Sequence, residues 1–138
     1  MKLRNPAFLL LMLLAIVITG CTTAEESQQK TVKIGVAEAH KLIEKNRENS
    51  DFVIIDIRTP QEFSDGHIEN AINIDFYSRD FRQKLSELDK NKTYLVYCRT
   101  GVRSKLAMPV FINLGFKEVY EMDGGIVAWI EAGYEVVK

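Results

Sequence analysis

The sequence predicts an α/β domain with a central, mainly parallel sheet of about five strands that is flanked by helices on both faces. Two stretches, residues 52–57 and 94–97, are almost continuously apolar and rich in β-branched or aromatic side chains. This pattern is typical of strands buried on both faces of a parallel sheet. Segments with helical spacing of apolar residues alternate with these strands, which favours strand–helix–strand units.

The remaining elements follow from shorter patterns. We expect short strands over residues 31–34, 71–74 and 119–122, and helices over residues 36–45, 104–114 and 126–131, with a further helix that carries Phe81, Leu85 and Leu88 on one face. Thr59, Pro60 and Glu62 predict a helix that starts with a capping box. In the helix over residues 104–114, we expect Leu106, Val110 and Leu114 to face inward, Pro109 to bend the axis and Gly115 to end it.

The first 20 residues are predicted to be an export signal. Lys2 and Arg4 precede twelve consecutive apolar residues, a run too short for a membrane-spanning helix of about 20 residues. The sequence Ile18-Thr19-Gly20-Cys21 resembles the lipobox of bacterial lipoproteins, in which the cysteine is acylated on sulfur and becomes the new N-terminus. The alternative is an uncleaved anchor in which Cys21 has no role.

These features predict how the chain is organised and where it is located. We expect a lipoprotein signal peptide over residues 1–20, a lipidated polar tether over residues 21–30 and one globular domain over residues 31–138. Lipidation at Cys21 would hold the exported domain at the outer face of a bacterial membrane.

Composition excludes several function classes. Because Lys2 and Arg4 are the charged residues of the first 20, residues 21–138 carry 16 basic and 19 acidic side chains, a net charge of −3. Nucleic-acid-binding domains normally present a basic face, so we expect no nucleic-acid partner. Two cysteines and two histidines are too few and too scattered for a zinc site, so we expect no metal. We expect the protein to be a monomer.

Cys98 is the candidate nucleophile. With Cys21 lipidated, Cys98 is the free thiol of the mature domain, and such a cysteine in an exported protein indicates a working thiol or an intermolecular disulfide. It follows the strand over residues 94–97, at the carboxyl edge of the sheet, where open α/β sheets bind ligands. Arg99, Arg103 and the backbone N–H groups of the loop favour the thiolate. The alternative is a buried structural cysteine.

Three other polar residues have predicted roles. Asp56 interrupts an apolar strand, and a buried carboxylate there must be paired, so Arg58 is its candidate partner. His67 is interpreted as a packing histidine rather than a general base, because no serine or cysteine near it in sequence demands a base. His40 is expected to lie at the solvated face of its helix.

Six short motifs then occur in a characteristic order. They are residues 53–58 (VIIDIR), 62–63 (EF), 66–74 (GHIENAINI), 97–104 (YCRTGVRS), 114–116 (LGF) and 123–129 (DGGIVAW). Together they resemble the rhodanese-like family of sulfurtransferases in its single-domain form. The resemblance extends from about Val32 to Val137, which is essentially the whole predicted domain.

This resemblance implies a rhodanese-like fold and a cysteine, Cys98, that accepts a sulfane sulfur as a persulfide. The donor would be thiosulfate or a persulfide, the acceptor would be cyanide or a thiol, and no metal or organic cofactor would be used. The implied substrate-binding residues are Arg99, Thr100, Gly101, Val102, Arg103 and Ser104, with Arg58 as a further candidate and Asp56 as its structural partner near the site.

Two alternative functions stay open. From Cys98 through Arg103 the loop has six residues. The same resemblance implies that phosphatases of the cell-cycle type are relatives with the same fold. Their loop has one residue more and is wider, which suits phosphate. A Cys98-dependent phosphatase or arsenate reductase is therefore the less favoured alternative. The other is a persulfide carrier or binding module with little turnover, which would serve a partner in the cell envelope.

Overall fold

The structure is a computed structural model that describes residues 28–138. The predicted signal peptide, Cys21 and most of the predicted tether lie outside the described residues. Between residues 28 and 138, no helix combines the length and apolar character that crossing a membrane requires.

Strands and helices alternate along the described chain. The strands are β1 (Lys30–Ile34), β2 (Phe52–Asp56), β3 (Ile72–Asn73), β4 (Thr93–Tyr97) and β5 (Glu118–Met122). The helices are α1 (Val36–Lys45), α2 (Pro60–Asp65), α3 (Phe81–Ser86), α4 (Val102–Asn113) and α5 (Gly125–Glu131). The predicted order of elements is confirmed, and most boundaries differ from the predictions by one or two residues.

The five strands form one parallel sheet in the order β1-β5-β4-β2-β3. The predicted parallel α/β architecture is therefore confirmed. β4 is the central strand, and its residues 94–97 are all buried, as expected for a strand with neighbours on both edges and helices on both faces. This position carries the residue after β4, Cys98, to the middle of the carboxyl edge.

Helices cover both faces of the sheet and form two hydrophobic cores. On one face, Phe81 and Leu85 of α3 and Phe111 of α4 pack against alternate residues of the strands. On the other face, Ala39 of α1 and Trp129 of α5 pack against the intervening strand residues. Alternation of side chains along each strand divides the apolar residues between these two cores.

The predicted inward face of α4 is confirmed only in part, because Val110 and Leu114 pack against the core whereas Leu106 does not. Leu106 is 61% exposed, whereas the face toward the sheet is formed by Ser104, Ala107, Met108 and Phe111. Apolar side chains surround this helix on all sides, so their spacing alone does not select the buried face. α4 starts two residues earlier than predicted and continues through Pro109 to Asn113. Leu114 is its C-cap, and Gly115 follows with a positive φ of +83°.

Two local predictions at α1 and α2 have opposite outcomes. The capping box of α2 is confirmed: Thr59 Oγ1 accepts from the Glu62 N–H at 3.3 Å, and Glu62 Oε2 accepts from the Thr59 N–H at 2.9 Å. The prediction that His40 is solvated is wrong, because its ring is half-buried and stacks on Tyr134 with the ring centres 4.2 Å apart. The chain after α5 returns over this face of the sheet and provides that contact.

Candidate active site

Cys98 lies at the bottom of a short loop that joins β4 to α4. Its thiol is free, and the residue is 1% exposed. Two backbone N–H groups donate to its Sγ, from Gly101 at 3.1 Å and from Ser104 at 3.4 Å. Gly101 has a φ of +95°, a conformation that other residues rarely adopt and that directs the chain after it into α4. The loop therefore stabilises negative charge on the sulfur through backbone dipoles.

The N-terminus of α5 holds the same loop from its other side. The N–H groups of Ile126 and Val127 donate to the carbonyl oxygens of Cys98 and Arg99 at 2.9 and 3.1 Å. Because the C=O and N–H of a peptide point in opposite directions, the N–H groups of Arg99 and Thr100 point away from α5. At Gly125, a Cβ atom would lie 2.4 Å from the Arg99 carbonyl oxygen, so this close approach requires glycine.

A buried polar pair, Ser104 and Glu121, lies behind the sulfur. Ser104 Oγ is 3.6 Å from Cys98 Sγ, 3.2 Å from Glu121 Oε1 and 3.1 Å from the Gly101 carbonyl oxygen. Ser104 is fully buried and Glu121 is 5% exposed. Ser104 is one of the predicted substrate-binding residues, whereas Glu121 was not predicted; its signal in the sequence is an acidic residue between Tyr120 and Met122 of a predicted strand.

Arg103 is bound by a carboxylate of its own chain. Its Nη1 and Nη2 atoms each lie 2.8 Å from an oxygen of Glu62, in a bidentate ion pair. The hydrogen bond from Arg103 lowers the pKa of Glu62 to about 2, against the opposing effect of partial burial. The exposed ring of Tyr77, a residue that no sequence signal indicated, lies 5.4 Å from the Arg103 guanidinium carbon. Glu62, predicted only as a cap, therefore joins α2 to the first turn of α4.

Asp56 and Arg58 form the predicted pair. Arg58 Nη2 lies 2.7 Å from Asp56 Oδ2, Arg58 Nε lies 3.0 Å from both carboxylate oxygens, and Arg58 Nη2 also donates to the Gly66 carbonyl oxygen at 2.6 Å. Asp56 is fully buried and Arg58 is 6% exposed. The pair fixes the loop between β2 and α2 beside the Cys98 loop.

The other predicted loop residues face outward. Arg99 and Thr100 are exposed, and Val102 is 63% exposed, so Thr100 and Val102 contribute to the loop through their backbone. Arg99 lines a cleft of about 310 Å³ that also contains Arg58 and Glu62. His67 lies elsewhere: its ring stacks on Phe63 at 3.7 Å, which agrees with the predicted packing role.

A larger cavity lies away from this loop. It has a volume of about 590 Å³, and its lining includes Phe52, Trp129 and Tyr134 but no residue from 98 to 104. The smaller cleft is lined by Arg99 of the loop, whereas the larger cavity is lined by none of its residues. We identify the candidate active site by the loop around Cys98 and the polar groups that contact its sulfur.

Comparisons with known proteins agree with this geometry. A family model described as "Rhodanese-like domain" matches residues 36–132. The chain is 32% identical over 127 residues to Rhodanese-like domain-containing protein 17 of Arabidopsis thaliana, with 83% of the chain and 78% of that protein covered. It is 31% identical over 100 residues to a sulfurtransferase of Allochromatium vinosum, with 72% and 92% covered.

Two further similarities concern a larger protein and a solved structure. Over 93 residues the chain is 38% identical to a tRNA uridine(34) hydroxylase of Cytophaga hutchinsonii; this covers 64% of the chain and only 30% of the hydroxylase. A crystal structure of a rhodanese-related protein from Thermoplasma volcanium superposes with a TM-score of 0.64 at 34% identity, with 77% of the chain and 97% of that protein covered. The domain that presents Cys98 therefore belongs to the rhodanese-like family.

Proposed function

We propose that the chain is a sulfurtransferase that moves a sulfane sulfur from thiosulfate or a persulfide to a thiophilic acceptor through a persulfide on Cys98. The observation that carries this proposal is the pair of backbone N–H groups, from Gly101 and Ser104, that donate to the buried Cys98 Sγ at 3.1 and 3.4 Å. Such donors stabilise the thiolate, which is the nucleophilic form of cysteine.

The reaction has two half-reactions that conserve electrons. First, the Cys98 thiolate attacks the outer sulfur of the donor, the donor's S–S bond breaks, and the bonding electron pair leaves with sulfite or a thiolate. Second, cyanide or a thiolate attacks the outer sulfur of the persulfide, and Cys98 leaves as the thiolate. The persulfide sulfur extends about 2.05 Å beyond Sγ, toward the N–H groups that point away from α5.

No general base contacts Cys98 among the described residues. His67 is held by Phe63 through ring stacking and through a 2.9 Å contact between its Nδ1 and the Phe63 carbonyl oxygen. Among the described residues, the hydrogen-bond partners of Sγ are the backbone N–H groups of Gly101 and Ser104 and the Ser104 hydroxyl. Sulfur transfer fits this arrangement because it needs no general base.

Two other functions remain as alternatives. A persulfide carrier would use the same loop and differ only in slow release to its acceptor. A phosphatase or arsenate reductase would have to bind a tetrahedral oxyanion in the six-residue loop from Cys98 to Arg103, and the guanidinium of Arg103 is already held by Glu62.

A sulfur-loading experiment tests the proposed function. The full chain, purified in mild detergent, is incubated with thiosulfate, and peptide mass mapping locates any added sulfur. We expect one added sulfur atom on Cys98 and release of thiocyanate when cyanide follows. Cys98→Ser should abolish both, and Cys21→Ser should leave both unchanged.

Parallel assays separate the alternatives. Sulfur loading with very slow release to cyanide and to thiols would indicate the carrier. Phosphate release from an aryl phosphate that disappears in Cys98→Ser, without any sulfur loading, would overturn the proposal.

We further propose that the domain is exported and held at the outer face of a membrane by acyl chains on Cys21. The apolar run and the sequence Ile18-Thr19-Gly20-Cys21 support this location. Metabolic labelling with a fatty acid should mark the wild-type chain and not Cys21→Ser. Protease added to intact cells or spheroplasts should then degrade the wild-type domain. Equal labelling of both chains, or complete protection from protease, would contradict the proposal.

A further inference from the structure

Glu121 is a buried acidic residue with no part in the two half-reactions described above. It is 5% exposed and lies on β5, beneath the start of α4. Within residues 28–138 it forms no ion pair, and its hydrogen-bond partner is the Ser104 hydroxyl, 3.2 Å from its Oε1. A buried carboxylate without a cation is costly. Such a group, one hydroxyl away from the nucleophile, is a candidate for a role in its chemistry.

The cations nearest to Glu121 along the neighbouring elements do not neutralise it. Lys33 lies opposite Glu121 on β1, but its Nζ is paired with Asp123 at 3.0 Å and its side chain is 54% exposed. On α4, Arg103 is held by another carboxylate and Lys105 is exposed. The charge on Glu121 therefore depends on the polar groups that reach it from the Cys98 loop.

The Ser104 hydroxyl connects Glu121 to the nucleophile. Its Oγ lies 3.6 Å from Cys98 Sγ, which as a thiol donates to it, and 3.2 Å from Glu121 Oε1, to which it donates. The Gly101 carbonyl oxygen is also 3.1 Å from Oγ, but it already accepts from the Lys105 N–H at 3.2 Å. Because a hydroxyl has one proton to give, Ser104 can serve the sulfur or the carboxylate but not both.

We propose that Glu121 accepts the proton of the Cys98 thiol through the Ser104 hydroxyl. The S–H bond breaks, its electron pair stays on the sulfur, and its proton passes to Ser104 Oγ while the Ser104 proton passes to Glu121 Oε1. The hydroxyl then donates to the thiolate and accepts from the neutral carboxyl group. Atoms and charge balance, because one negative charge moves from the carboxylate to the sulfur. Glu121 is thus a positioning residue that acts through Ser104.

Moving a buried charge costs less than adding one. If the thiolate formed while Glu121 stayed ionised, two negative charges would share a single hydroxyl proton. The sulfur has two backbone donors, from Gly101 at 3.1 Å and Ser104 at 3.4 Å, whereas the carboxylate has the hydroxyl. The loop therefore favours the charge on the sulfur.

The relay supplies the step that precedes sulfur transfer. Attack on the donor needs no base, but the Cys98 thiol must first lose its proton. This inference deepens the proposed function and rests on it for its relevance to sulfur transfer. The proton transfer itself can be measured without a sulfur donor.

Ultraviolet absorbance of the thiolate measures this transfer. The full chain in mild detergent is titrated from about pH 5 to about pH 9, and Cys98→Ser is subtracted as the blank, which removes the signals of Cys21 and of the tyrosines. Because Cys98 and Glu121 share one proton, the thiolate in the wild type should form as the pair loses its first proton and then stay level. We expect its signal to change by less than about twofold between about pH 6 and about pH 8.

Two variants break the relay at different points. Glu121→Gln keeps the shape of the side chain but cannot take the proton, and Ser104→Ala removes the hydroxyl but keeps the carboxyl group. In both, the thiol proton must leave to solvent, so the thiolate signal should rise about tenfold per pH unit below a single midpoint. Glu118→Gln is the matched control on the same strand, because Glu118 contacts Lys30 and Thr93 and should leave the wild-type profile unchanged. Unfolding midpoints verify that all three variants are folded.

Infrared difference spectroscopy locates the proton. At neutral pH, the difference between the wild type and Glu121→Gln should contain the carbonyl stretch of a protonated carboxyl group. Cys98→Ser should lack this band, because a serine hydroxyl does not give up its proton and Glu121 then stays ionised.

The outcomes distinguish this inference from the proposed function. Parallel thiolate profiles in the wild type and Glu121→Gln would overturn the inference, as would a protonated-carboxyl band that persists in Cys98→Ser. If the profiles differ as expected but thiosulfate adds no sulfur to Cys98, the proton relay stands and the proposed function fails. If sulfur loading succeeds and the profiles are parallel, the sulfurtransferase proposal stands and Glu121 has a structural role only.

Discussion

Arg103 and Glu62 form a bidentate ion pair in which both nitrogen–oxygen distances are 2.8 Å. The same carboxylate accepts from the Thr59 N–H, so a single side chain connects the start of α2 to the start of α4. The pair fixes the wall of the candidate site and removes one positive charge that a substrate would otherwise meet.

The ion pair predicts a specific dependence of stability on pH. Arg103 lowers the pKa of Glu62 from its ordinary 4.5 to about 2, so its contribution is complete above pH 4.5 and is lost as the pH falls toward 2. In Glu62→Gln this contribution is absent. We expect the wild type to lose on the order of 1–2 kcal/mol more than the variant over this window, after allowance for solvent screening. Urea unfolding at the two ends of the window measures the difference.

The control for this measurement is Glu131→Gln, which changes an exposed glutamate of α5. Its stability should fall with pH as the wild type's does. A Glu62→Gln profile as steep as that of the wild type would show that the pair contributes nothing.

Gly125 is predicted to be indispensable to the loop. Gly125→Ala places a Cβ atom 2.4 Å from the Arg99 carbonyl oxygen, so α5 must move away from the loop. Gly115→Ala is the matched control, because Gly115 has a similar positive φ and no atom within 4 Å of the added Cβ. The φ cost alone is about 1–2 kcal/mol. We expect Gly125→Ala to lose more stability than the control in thermal unfolding, and to lose sulfur loading as well. Equal losses would contradict the role of the close approach.

The hydroxyl of Ser104 is predicted to satisfy the buried carboxyl group of Glu121. Ser104→Ala removes that donor and should destabilise the fold by about 1–3 kcal/mol. Replacing both groups, in Ser104→Ala with Glu121→Met, should recover part of the loss because no buried polar group is then left unpaired. Denaturant unfolding of the wild type, the two single variants and the double variant gives the coupling energy between Ser104 and Glu121. Ser86→Ala, at an exposed serine, is the neutral control. If the stability losses of the two single variants add up to the loss of the double variant, the predicted coupling is contradicted.

The two faces of α4 are predicted to differ strongly in their tolerance of substitution. Phe111 is fully buried between α4 and the sheet, so Phe111→Ala should cost about 3–5 kcal/mol. Leu106 is 61% exposed, and Leu106→Ala should change stability by about 0.5 kcal/mol or less. The difference in urea midpoint measures the contrast. Comparable losses of stability in the two variants would contradict the observed orientation of α4 and would support the one predicted from its apolar spacing.

Several features were predictable because their signals are local. The capping box of α2 depends on residues three positions apart, and the Asp56–Arg58 pair depends on residues two positions apart at the end of one strand. The buried strands β2 and β4 are visible as apolar runs, and their parallel arrangement follows from the helices between them. The substrate-binding roles of Arg99 and Thr100 and the catalytic role of Cys98 stay predictions.

The sequence by itself determined the architecture, the position of Cys98 at the end of a buried strand and the short loop around its sulfur, because each depends on order and spacing along the chain. Only the tertiary structure decided which charges meet at that loop. Glu62 is 41 positions from Arg103, and Glu121 is 17 positions from Ser104, so no local pattern joins them. The carboxyl edge of a parallel sheet brings the ends of separate strands and the starts of separate helices together. The net charge that a substrate meets is set there by side chains from distant segments.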